Sequence, residues 1–327
     1  MPSALALVGD IGGTNARFAL SDPAGGGELI APRNYACAEA PSLEDCIEDY
    51  LAEVAPTRRP SAAQIAVAGP VTDGAITFTN GGWTLSEAGL RRRGFATARL
   101  MNDFAALATA AGGFRPADVV ELGPGAAGEP DGCLAIVGAG TGFGAAAVIR
   151  DSGPEIILPT EGGHMSFAPV DEVEIEILRR LLRKFGRVSV ERLLSGPGLQ
   201  NIYLALDDIA GRPAREAPEP EAITTQALSG ADPLCVETVA RFCAIFGSVA
   251  GDFALGYGAR GGVYIAGGIA PKILPLLQKS QFRARFEAKG RFETYMAAIP
   301  TRVVTHPHAA LLGAERALRM AEMAGIG

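Results

Sequence analysis

The chain has 327 residues, of which 48% are hydrophobic and 20% are charged. This composition indicates a globular protein with a large core, and the length favours two domains over one. Lys and Arg number 29 against 36 Asp and Glu, so the formal net charge of -7 argues against non-specific binding of nucleic acid. We therefore expect a small ligand and no nucleic-acid partner.

The sequence predicts a cytoplasmic protein without a membrane span. The five cysteines are scattered through apolar stretches with no CxxC pair, which is typical of buried free thiols in a reducing compartment. No signal peptide precedes the first apolar strand, and no apolar run approaches the roughly 20 residues that a membrane helix needs.

The first third of the chain alternates strands with helices. Short apolar runs separated by turns extend from Leu5 to Cys37, a pattern that predicts an antiparallel meander. A helix is predicted from Ser42, because apolar residues then recur at helical spacing. Short strands are predicted at residues 64–68, 75–79 and 99–101, followed by an alanine-rich helix. This alternation indicates an α/β fold.

The same arrangement begins again in the second half. Residues 112–131 are rich in Gly and Pro and are predicted to cross between domains. Strand, glycine turn and strand then follow at 133–148, and a buried strand is predicted at 262–269. A proline-containing surface loop is predicted at 211–221, and helices are predicted at residues 172–185, 198–209, 233–255 and 309–323.

Two details of these helices bear on the domain organisation. Asp171 and Glu174 fit a capping box for the helix at 172–185, and Gly186 fits its end. The last helix has no domain of its own and is expected to pack onto the first domain. We therefore predict a small α/β domain at 1–112 plus 303–327 and a large one at 113–302.

Two glycine-rich turns of similar outline are the main chemical signal. Glycines let backbone N–H groups approach an anion and adopt positive φ, so such turns can hold phosphate, although a lone one is also typical of a tight hairpin. The first turn contains Gly9, Asp10, Gly12, Gly13, Thr14 and Asn15. The second contains Gly138, Gly140, Thr141 and Gly142, with Ala139 where the first has Asp10. The pair predicts a nucleotide held between two halves.

The two turns differ in charge. Asp10 would repel phosphate unless a divalent cation lay between them, so it implies Mg²⁺, bound directly or through water. No Gly-Lys-Ser/Thr follows, so the turn is not a Walker A loop. The neutral second turn donates only hydrogen bonds, which suits the outer phosphates. A third glycine site, Gly267-Gly268, ends a strand, where it is equally typical of a strand-to-helix turn and of a nucleotide contact.

Asn102 and Asp103 follow a predicted strand and begin a helix. Both residue types are preferred at helix N-caps, so a simple cap explains the pair as well as a catalytic role does. In the catalytic interpretation, Asp103 accepts a proton from a substrate hydroxyl that attacks the γ-phosphate. Phosphoryl transfer through a loose transition state asks little basicity of this group, so an ordinary carboxylate suffices if it is correctly placed.

Three further polar residues suit a sugar. Glu161 and Glu191 can each accept two hydrogen bonds in a planar fork, which matches adjacent hydroxyls, and His164 adds a donor or acceptor. Taken singly, each Glu is more typical of a solvated surface. His306 and His308 lack further ligands at metal spacing, and we assign them no site.

In this order, the motifs resemble one family over essentially the whole chain. Residues 7–17, 102–104, 138–142, 161–164, 191–199 and 265–269 are similar to those of bacterial glucokinases without a zinc motif, in the hexokinase, actin and Hsp70 fold superfamily. The resemblance implies two ribonuclease-H-like α/β lobes, each with a mixed sheet flanked by helices, and a cleft between them.

The resemblance also implies an activity. It implies ATP-dependent phosphorylation of the 6-hydroxyl of glucose, the first step of glycolysis, with Asp103 as the general base. It further implies a homodimer and glycine turns that hold the nucleotide. The residues implied to hold the sugar are Asn102, Asp103, Glu161, His164 and Glu191.

Alternatives and departures are visible in the sequence. The related family of repressors, open-reading-frame proteins and kinases has a cysteine-rich zinc motif, yet no cysteine occurs between Cys133 and Cys235, so that family matches less well. Thr160 stands where glucokinases often have glycine, and we expect it to tighten the loop. A kinase for another neutral hexose, such as fructose or mannose, stays open. A sugar-sensing regulator is disfavoured by the negative charge, by Asp103 and by the absence of a helix-turn-helix.

Overall fold

The computed structural model describes residues 5–13, 15–22, 26–37, 42–55, 57, 59–78, 83–150, 153–212 and 216–323. The chain divides into two units. Unit 1 comprises residues 1–114 and 306–327, and unit 2 comprises residues 115–305.

The helices and strands follow in chain order. Up to residue 114 they are β1 (Ala6–Ile11), β2 (Asn15–Ser21), β3 (Leu29–Ala36), α1 (Leu43–Val54), β4 (Ala62–Val67), β5 (Ala75–Thr77), β6 (Thr84–Ser86), α2 (Glu87–Arg92), β7 (Thr97–Asn102) and α3 (Asp103–Ala111). Unit 2 contains β8 (Val119–Leu122), β9 (Leu134–Ala139), β10 (Phe143–Ile149), β11 (Ile156–Thr160), α4 (Glu172–Phe185), α5 (Gly196–Ile209), α6 (Pro220–Ser229), α7 (Pro233–Tyr257), β12 (Gly262–Ala266), α8 (Ile269–Lys272), α9 (Leu274–Leu277), α10 (Phe282–Glu287), α11 (Glu293–Ala297) and β13 (Thr301–Val304). The last helix, α12 (Ala309–Met323), belongs to unit 1.

The described part of unit 1 contains a five-stranded sheet in the order β3-β2-β1-β4-β7. Strands β1, β2 and β3 pair antiparallel, which confirms the predicted meander, whereas β1, β4 and β7 are parallel. The parallel strands end in register, with Ile11 opposite Val67 and Val67 opposite Asn102. Their carboxyl ends therefore form one edge of the sheet.

Helices α3 and α12 pack against each other in unit 1, and α12 also contacts β1 and β4. Gly313 permits this approach, because a Cβ at that position would overlap the backbone carbonyl of Ala106. Helix α1 begins directly after Ser42, as predicted: Ser42 accepts a hydrogen bond from the N–H of Asp45 at 3.1 Å, and the apolar face from Leu43 onward is buried.

Unit 2 contains, among its described residues, a six-stranded sheet in the order β11-β10-β9-β12-β13-β8. Strands β9, β10 and β11 pair antiparallel, and β9, β12 and β13 are parallel. Each unit is thus a mixed sheet flanked by helices, so the predicted fold class is confirmed.

Several elements of unit 2 differ from the prediction. The stretch predicted as a crossing contains β8, which pairs antiparallel with β13 at the sheet edge. The predicted loop at 211–221 leads into α6, which begins at Pro220. Strands β11 and β13 and the short helices α8–α11 also went unpredicted. Runs of four to six residues show too few repeats to define a period. Pro220 stands at the start of α6, a position that Pro favours, so the prolines of the predicted loop also mark a helix start.

Helix α4 has the predicted bounds but not the predicted capping box. Asp171 accepts from the N–H of Glu174 at 2.9 Å, and Gly186 ends the helix with φ 71. However, Glu174 accepts from Val170 N–H at 3.0 Å and from Arg285 at 2.7 Å, and not from Asp171. The side chain of Glu174 is 1% exposed, and a carboxylate buried this deeply needs cationic partners.

Helix α7 has 25 residues and is long and apolar enough to cross a membrane by length and composition alone. Its sequence contains Glu237, Arg241 and Asp252, so it is not an uninterrupted apolar run, although its helical pattern is predicted from the sequence. Of its most apolar window, 78% is buried inside the protein, as in the core helix of a globular unit.

Candidate active site

The first glycine turn joins β1 to β2 in unit 1. The N–H of Gly12 donates to the carbonyl of Asn15 at 2.9 Å and closes the hairpin, while Gly13 is exposed. Gly9 is buried within β1, where a Cβ would lie 2.7 Å from Cδ1 of Ile65, so its small size serves packing. Thr14 lies outside the described residues. Gly13 is therefore the glycine of this turn whose backbone is open to a ligand, because the N–H of Gly12 is taken by the carbonyl of Asn15.

Asp10 lies opposite Arg17 across the β1–β2 pair. Nη1 of Arg17 donates to Oδ2 of Asp10 at 2.9 Å, and the Asp10 side chain is 16% exposed. Burial raises the pKa of the Asp10 carboxyl, an effect that Arg17 and, more weakly, His308 oppose. His308, to which we assigned no site, is thus an electrostatic neighbour of this turn.

Asn102 is the N-cap of α3. Its Oδ1 accepts from the N–H of Phe104 at 2.9 Å and of Ala105 at 3.1 Å, which confirms the cap interpretation. Its Nδ2 donates to the carbonyl of Gly69 at 3.4 Å. A sugar contact from this side chain would therefore come from the amide nitrogen, because the oxygen serves the helix.

Asp103 is the first residue of α3, and its side chain is half-buried. Its Oδ1 accepts from the N–H of Phe104 at 2.9 Å. A negative charge is favoured at a helix N-terminus by the helix dipole. The local structure therefore orients this carboxyl group.

Asp10 and Asp103 belong to the same edge of the unit 1 sheet. The register places Asp10 beside Ala66 and Ala66 beside Met101, two residues before Asp103. Strand β4 separates the two strands concerned, so their axes are about 10 Å apart at the usual strand spacing. Ligands of α/β sheets bind at the carboxyl ends of parallel strands, and both carboxylates lie there.

The second and third glycine sites meet in unit 2. Gly138 in β9 pairs with Ala266 in β12, and a Cβ on Gly138 would lie only 2.6 Å from the Ala266 carbonyl oxygen. Gly267 has φ +82, and a Cβ there would overlap the carbonyl of Ala139. The two strand ends approach this closely because both positions are glycine.

The tip of the second turn is held by backbone bonds. The N–H of Gly140 donates to the carbonyl of Gly142 at 2.8 Å, and the carbonyl of Gly140 accepts from Gly196, the first residue of α5, at 2.8 Å. Thr141 and Gly268 are exposed. These predicted nucleotide residues thus form one group on unit 2.

Glu191 is tied to this same turn. Its Oε2 accepts from the N–H of Phe143, the residue directly after the turn, at 2.9 Å. A Cβ on Gly142 would lie 2.5 Å from this oxygen, so glycine leaves room for the carboxylate. A residue predicted to bind sugar therefore also anchors the turn predicted to bind nucleotide.

Glu161 and His164 flank a short 3₁₀ turn, Gly162–His164, and both side chains are exposed. The glycines between them are buried. A Cβ on Gly162 would lie 2.5 Å from the ring of Phe253, and one on Gly163 would overlap the carbonyl of Phe143. Phe143 thus contacts both predicted sugar-binding segments of unit 2.

Two contacts that the sequence did not reveal support this turn. Nη2 of Arg187 donates to the carbonyl of His164 at 2.6 Å. The hydroxyl groups of Thr160 and Tyr257 lie 2.8 Å apart. Thr160 was noted as a departure from the family pattern, but no sequence pattern links it to Tyr257 or links Arg187 to the turn.

A cation at Asp10 would need further ligands from outside the protein. Among the described residues, no group of three or more His, Cys, Asp or Glu side chains is arranged to hold a metal ion. Mg²⁺ commonly binds one or two carboxylates and completes its shell with water and substrate phosphates. A single carboxylate beside a backbone turn fits that donor set.

Known glucokinases match this chain over nearly its full length. The glucokinase family model matches residues 7–321. The glucokinase of Caulobacter sp. (strain K31) is 55% identical over 317 residues, which cover 96% of this chain and 95% of the relative. The chain belongs to the glucokinase family. It is a hexose kinase, as the family resemblance implied.

Solved glucokinases share the fold. The crystal structure of glucokinase from an Antarctic psychrotroph superposes with a TM-score of 0.86 at 36% identity and covers 97% of this chain and 99% of that one. A ROK family glucokinase from Streptomyces griseus, solved in complex with glucose and AMPPNP, has a TM-score of 0.64 at 18% identity and covers 95% of this chain and 98% of its own. The second likeness concerns the fold alone.

Proposed function

We propose that the chain transfers the γ-phosphoryl group of ATP to the 6-hydroxyl of glucose, with Mg²⁺. Membership of the glucokinase family supports the reaction class, and the glucose and AMPPNP of the Streptomyces griseus relative support the substrate pair. The observation that carries the mechanism is the register of the unit 1 sheet, which assigns Asp10 and Asp103 to one edge.

In this mechanism Asp103 is the general base. It accepts the proton of the 6-hydroxyl while the hydroxyl oxygen bonds to the γ-phosphorus and the bond from that phosphorus to the bridging oxygen breaks. The products are glucose 6-phosphate and ADP. The transition state is loose, so the hydroxyl loses its proton late and the position of Asp103 matters more than its basicity. Asn102 supports this position by capping α3 and offers Nδ2 to the sugar.

Asp10 would hold Mg²⁺ directly or through water. When bound, the ion neutralises charge on the transferred phosphate. The backbone of Gly13, with Thr14 and Asn15, would donate to phosphate oxygens, while Gly12 closes the turn through its bond to the carbonyl of Asn15. Gly9 gives the strand the room to pack behind them.

Unit 2 supplies further sugar and nucleotide contacts in this proposal. Glu161 and His164 are exposed on a short turn and can hydrogen-bond to sugar hydroxyls. Glu191 can do the same with Oε1, because its Oε2 accepts from the N–H of Phe143. The neutral glycine group binds the nucleotide at its exposed residues Thr141 and Gly268, while Gly138 and Gly140 shape the turn through strand pairing and the bond from the Gly140 N–H to the carbonyl of Gly142. Its members are Gly138, Gly140, Thr141, Gly142, Gly267 and Gly268.

We also propose that the enzyme works in the cytoplasm as a homodimer, without nucleic acid or membrane, at the first step of glycolysis. The net charge of -7 and the burial of α7 support a protein free of nucleic acid and membrane. Light scattering coupled to size exclusion measures the oligomeric state, and a monomeric mass at working concentration would contradict the dimer.

A coupled assay of purified protein with ATP tests the reaction. Turnover of glucose, mannose, fructose and N-acetylglucosamine is compared, and each sugar is assayed once with Mg²⁺ and once with a chelator that removes it. We expect the highest kcat/KM for glucose and no turnover with chelator. A higher kcat/KM for another hexose would move the proposal to that sugar, and no turnover with any of them would overturn it.

A further inference from the structure

The hydroxyl of Thr160 joins three parts of unit 2. Its Oγ1 donates to the carbonyl of Ala145 in β10 at 3.0 Å and accepts from the N–H of Gly162 at 3.3 Å. The Tyr257 hydroxyl lies 2.8 Å away. Because a threonine hydroxyl has one proton, and the carbonyl of Ala145 takes it, Tyr257 is the donor of this third bond.

Tyr257 is well placed for this bond. It is the last residue of α7, and its ring packs on that of Phe253 with centroids 5.4 Å apart. Phe253 in turn fills the space beneath Gly162. A tyrosine hydroxyl is protonated at neutral pH and can donate, and burial raises the pKa of Tyr257 further. The end of the long core helix is thereby attached to the end of β11, directly before Glu161.

Glu161 stands between the two residues that this network fixes. Thr160 on one side is held by β10 and α7, and Gly162 on the other donates to Thr160. The Glu161 side chain itself is exposed, so the backbone is fixed while the carboxylate faces solvent. A fixed backbone with an accessible carboxylate is the arrangement that orients a ligand.

We propose that Thr160 and Tyr257 are positioning residues that fix Glu161 for the sugar and sharpen the preference among hexoses; the inference rests on the proposed function. Hexose epimers differ in the position of one hydroxyl. A carboxylate held in place cannot follow a displaced hydroxyl and loses that hydrogen bond, whereas a mobile carboxylate adapts to either epimer. Removing the Tyr257 hydroxyl therefore weakens glucose binding and flattens the preference.

The test compares steady-state kinetics of Tyr257→Phe, Thr160→Val and the double variant on glucose and mannose. Loss of one hydrogen bond corresponds to about a three- to tenfold rise in the KM for glucose, with the KM for ATP changed by less than about twofold. The ratio of kcat/KM for glucose over mannose is expected to fall. Since Tyr257 acts through Thr160, the double variant should resemble Thr160→Val alone.

Two controls separate positioning from stability. Thr160→Ser keeps the hydroxyl and should retain the KM for glucose. Thr225→Val removes a comparable hydroxyl, which donates to the carbonyl of Glu221 at 2.8 Å on the exposed side of α6, and should leave both KM values unchanged. Thermal melting of all variants reports on folding.

An unchanged KM for glucose, an equal rise in both KM values, or additive effects in the double variant would overturn the positioning role. Turnover of glucose by the unmodified enzyme is measured first, and its absence would count against the proposed function instead. Hydrogen exchange of the amides at 161–164 then decides the inference: faster exchange in Tyr257→Phe supports it, and unchanged exchange overturns it.

Discussion

Arg17 and Asp10 form an ion pair across the first hairpin of unit 1, with Nη1 of Arg17 2.9 Å from Oδ2 of Asp10. Burial disfavours the ionised form of Asp10, and the guanidinium group partly restores it. A cation that binds Asp10 directly competes with Arg17 for the same carboxylate, whereas a cation bound through water leaves the pair intact.

The Mg²⁺ dependence of the activity can therefore test the role of Asp10. Asp10→Asn is expected to raise the Mg²⁺ concentration for half-maximal activity by about tenfold, as loss of a metal-supporting group commonly does. Arg17→Gln serves as the matched variant, because it removes the competitor and should lower that concentration or leave it unchanged. The measurement is a Mg²⁺ titration at fixed ATP, and an unaltered titration in Asp10→Asn would count against its metal role.

Asp103→Asn tests the general base. The amide oxygen can still accept from Phe104, as the carboxylate does at 2.9 Å, so the start of α3 is preserved. We expect kcat to fall by about 10²- to 10⁴-fold because no group accepts the hydroxyl proton. Glucose affinity, measured by calorimetry, should largely survive. Near-normal turnover would exclude Asp103 as the base.

Asn102 has a capping role and a proposed sugar contact, which two substitutions separate. Asn102→Asp keeps the oxygen that accepts from Phe104 and Ala105, whereas Asn102→Ala removes it and should cost about 1 kcal/mol of stability. Both lose Nδ2. We expect the melting temperature to fall in the alanine variant only and the KM for glucose to rise in both. A normal KM in Asn102→Asp would restrict Asn102 to capping.

Features that depend on neighbours in sequence were predictable. The glycine turns, the N-cap before α3 and the bounds of α4 follow from residue types within a few positions of one another. Strand β8 and the short helices were not, because four to six residues carry no measurable period. The predicted capping box is absent for another reason. The carboxylate of Glu174 is buried and accepts a hydrogen bond from Arg285 in a different helix, and no local sequence pattern indicates this pairing.

The supports of the site were beyond local sequence reasoning. Thr160 and Tyr257 are 97 residues apart, and only the packing of α7 beside β10 makes them neighbours. Likewise, the bond from Arg187 to the His164 carbonyl requires the fold, since neither residue type nor spacing indicates it. The type of each side chain was enough to propose the sugar-binding and catalytic groups. The residues that hold those groups in place are determined by tertiary packing.

A pair of glycine substitutions tests the contact between α3 and α12. Gly313→Ala places a methyl group against the carbonyl of Ala106 and should destabilise unit 1 by about 1–3 kcal/mol through overpacking. Gly256→Ala on the exposed side of α7, where nothing lies within 4 Å of the new Cβ, should stabilise by up to about 1 kcal/mol. Chemical denaturation measures both. Equal effects would contradict the close approach at Gly313.

Glu191 is expected to give two different results depending on what replaces it. Glu191→Gln keeps an oxygen for the N–H of Phe143 but loses the charge, so it should raise the KM for glucose far more than that for ATP. Glu191→Ala removes the anchor as well and frees the turn that ends at Gly142, so the KM for ATP should rise too. Steady-state kinetics with each substrate varied in turn make the comparison. Equal effects of Glu191→Gln on both KM values would remove this residue from the sugar site, because only its backbone bond would then matter.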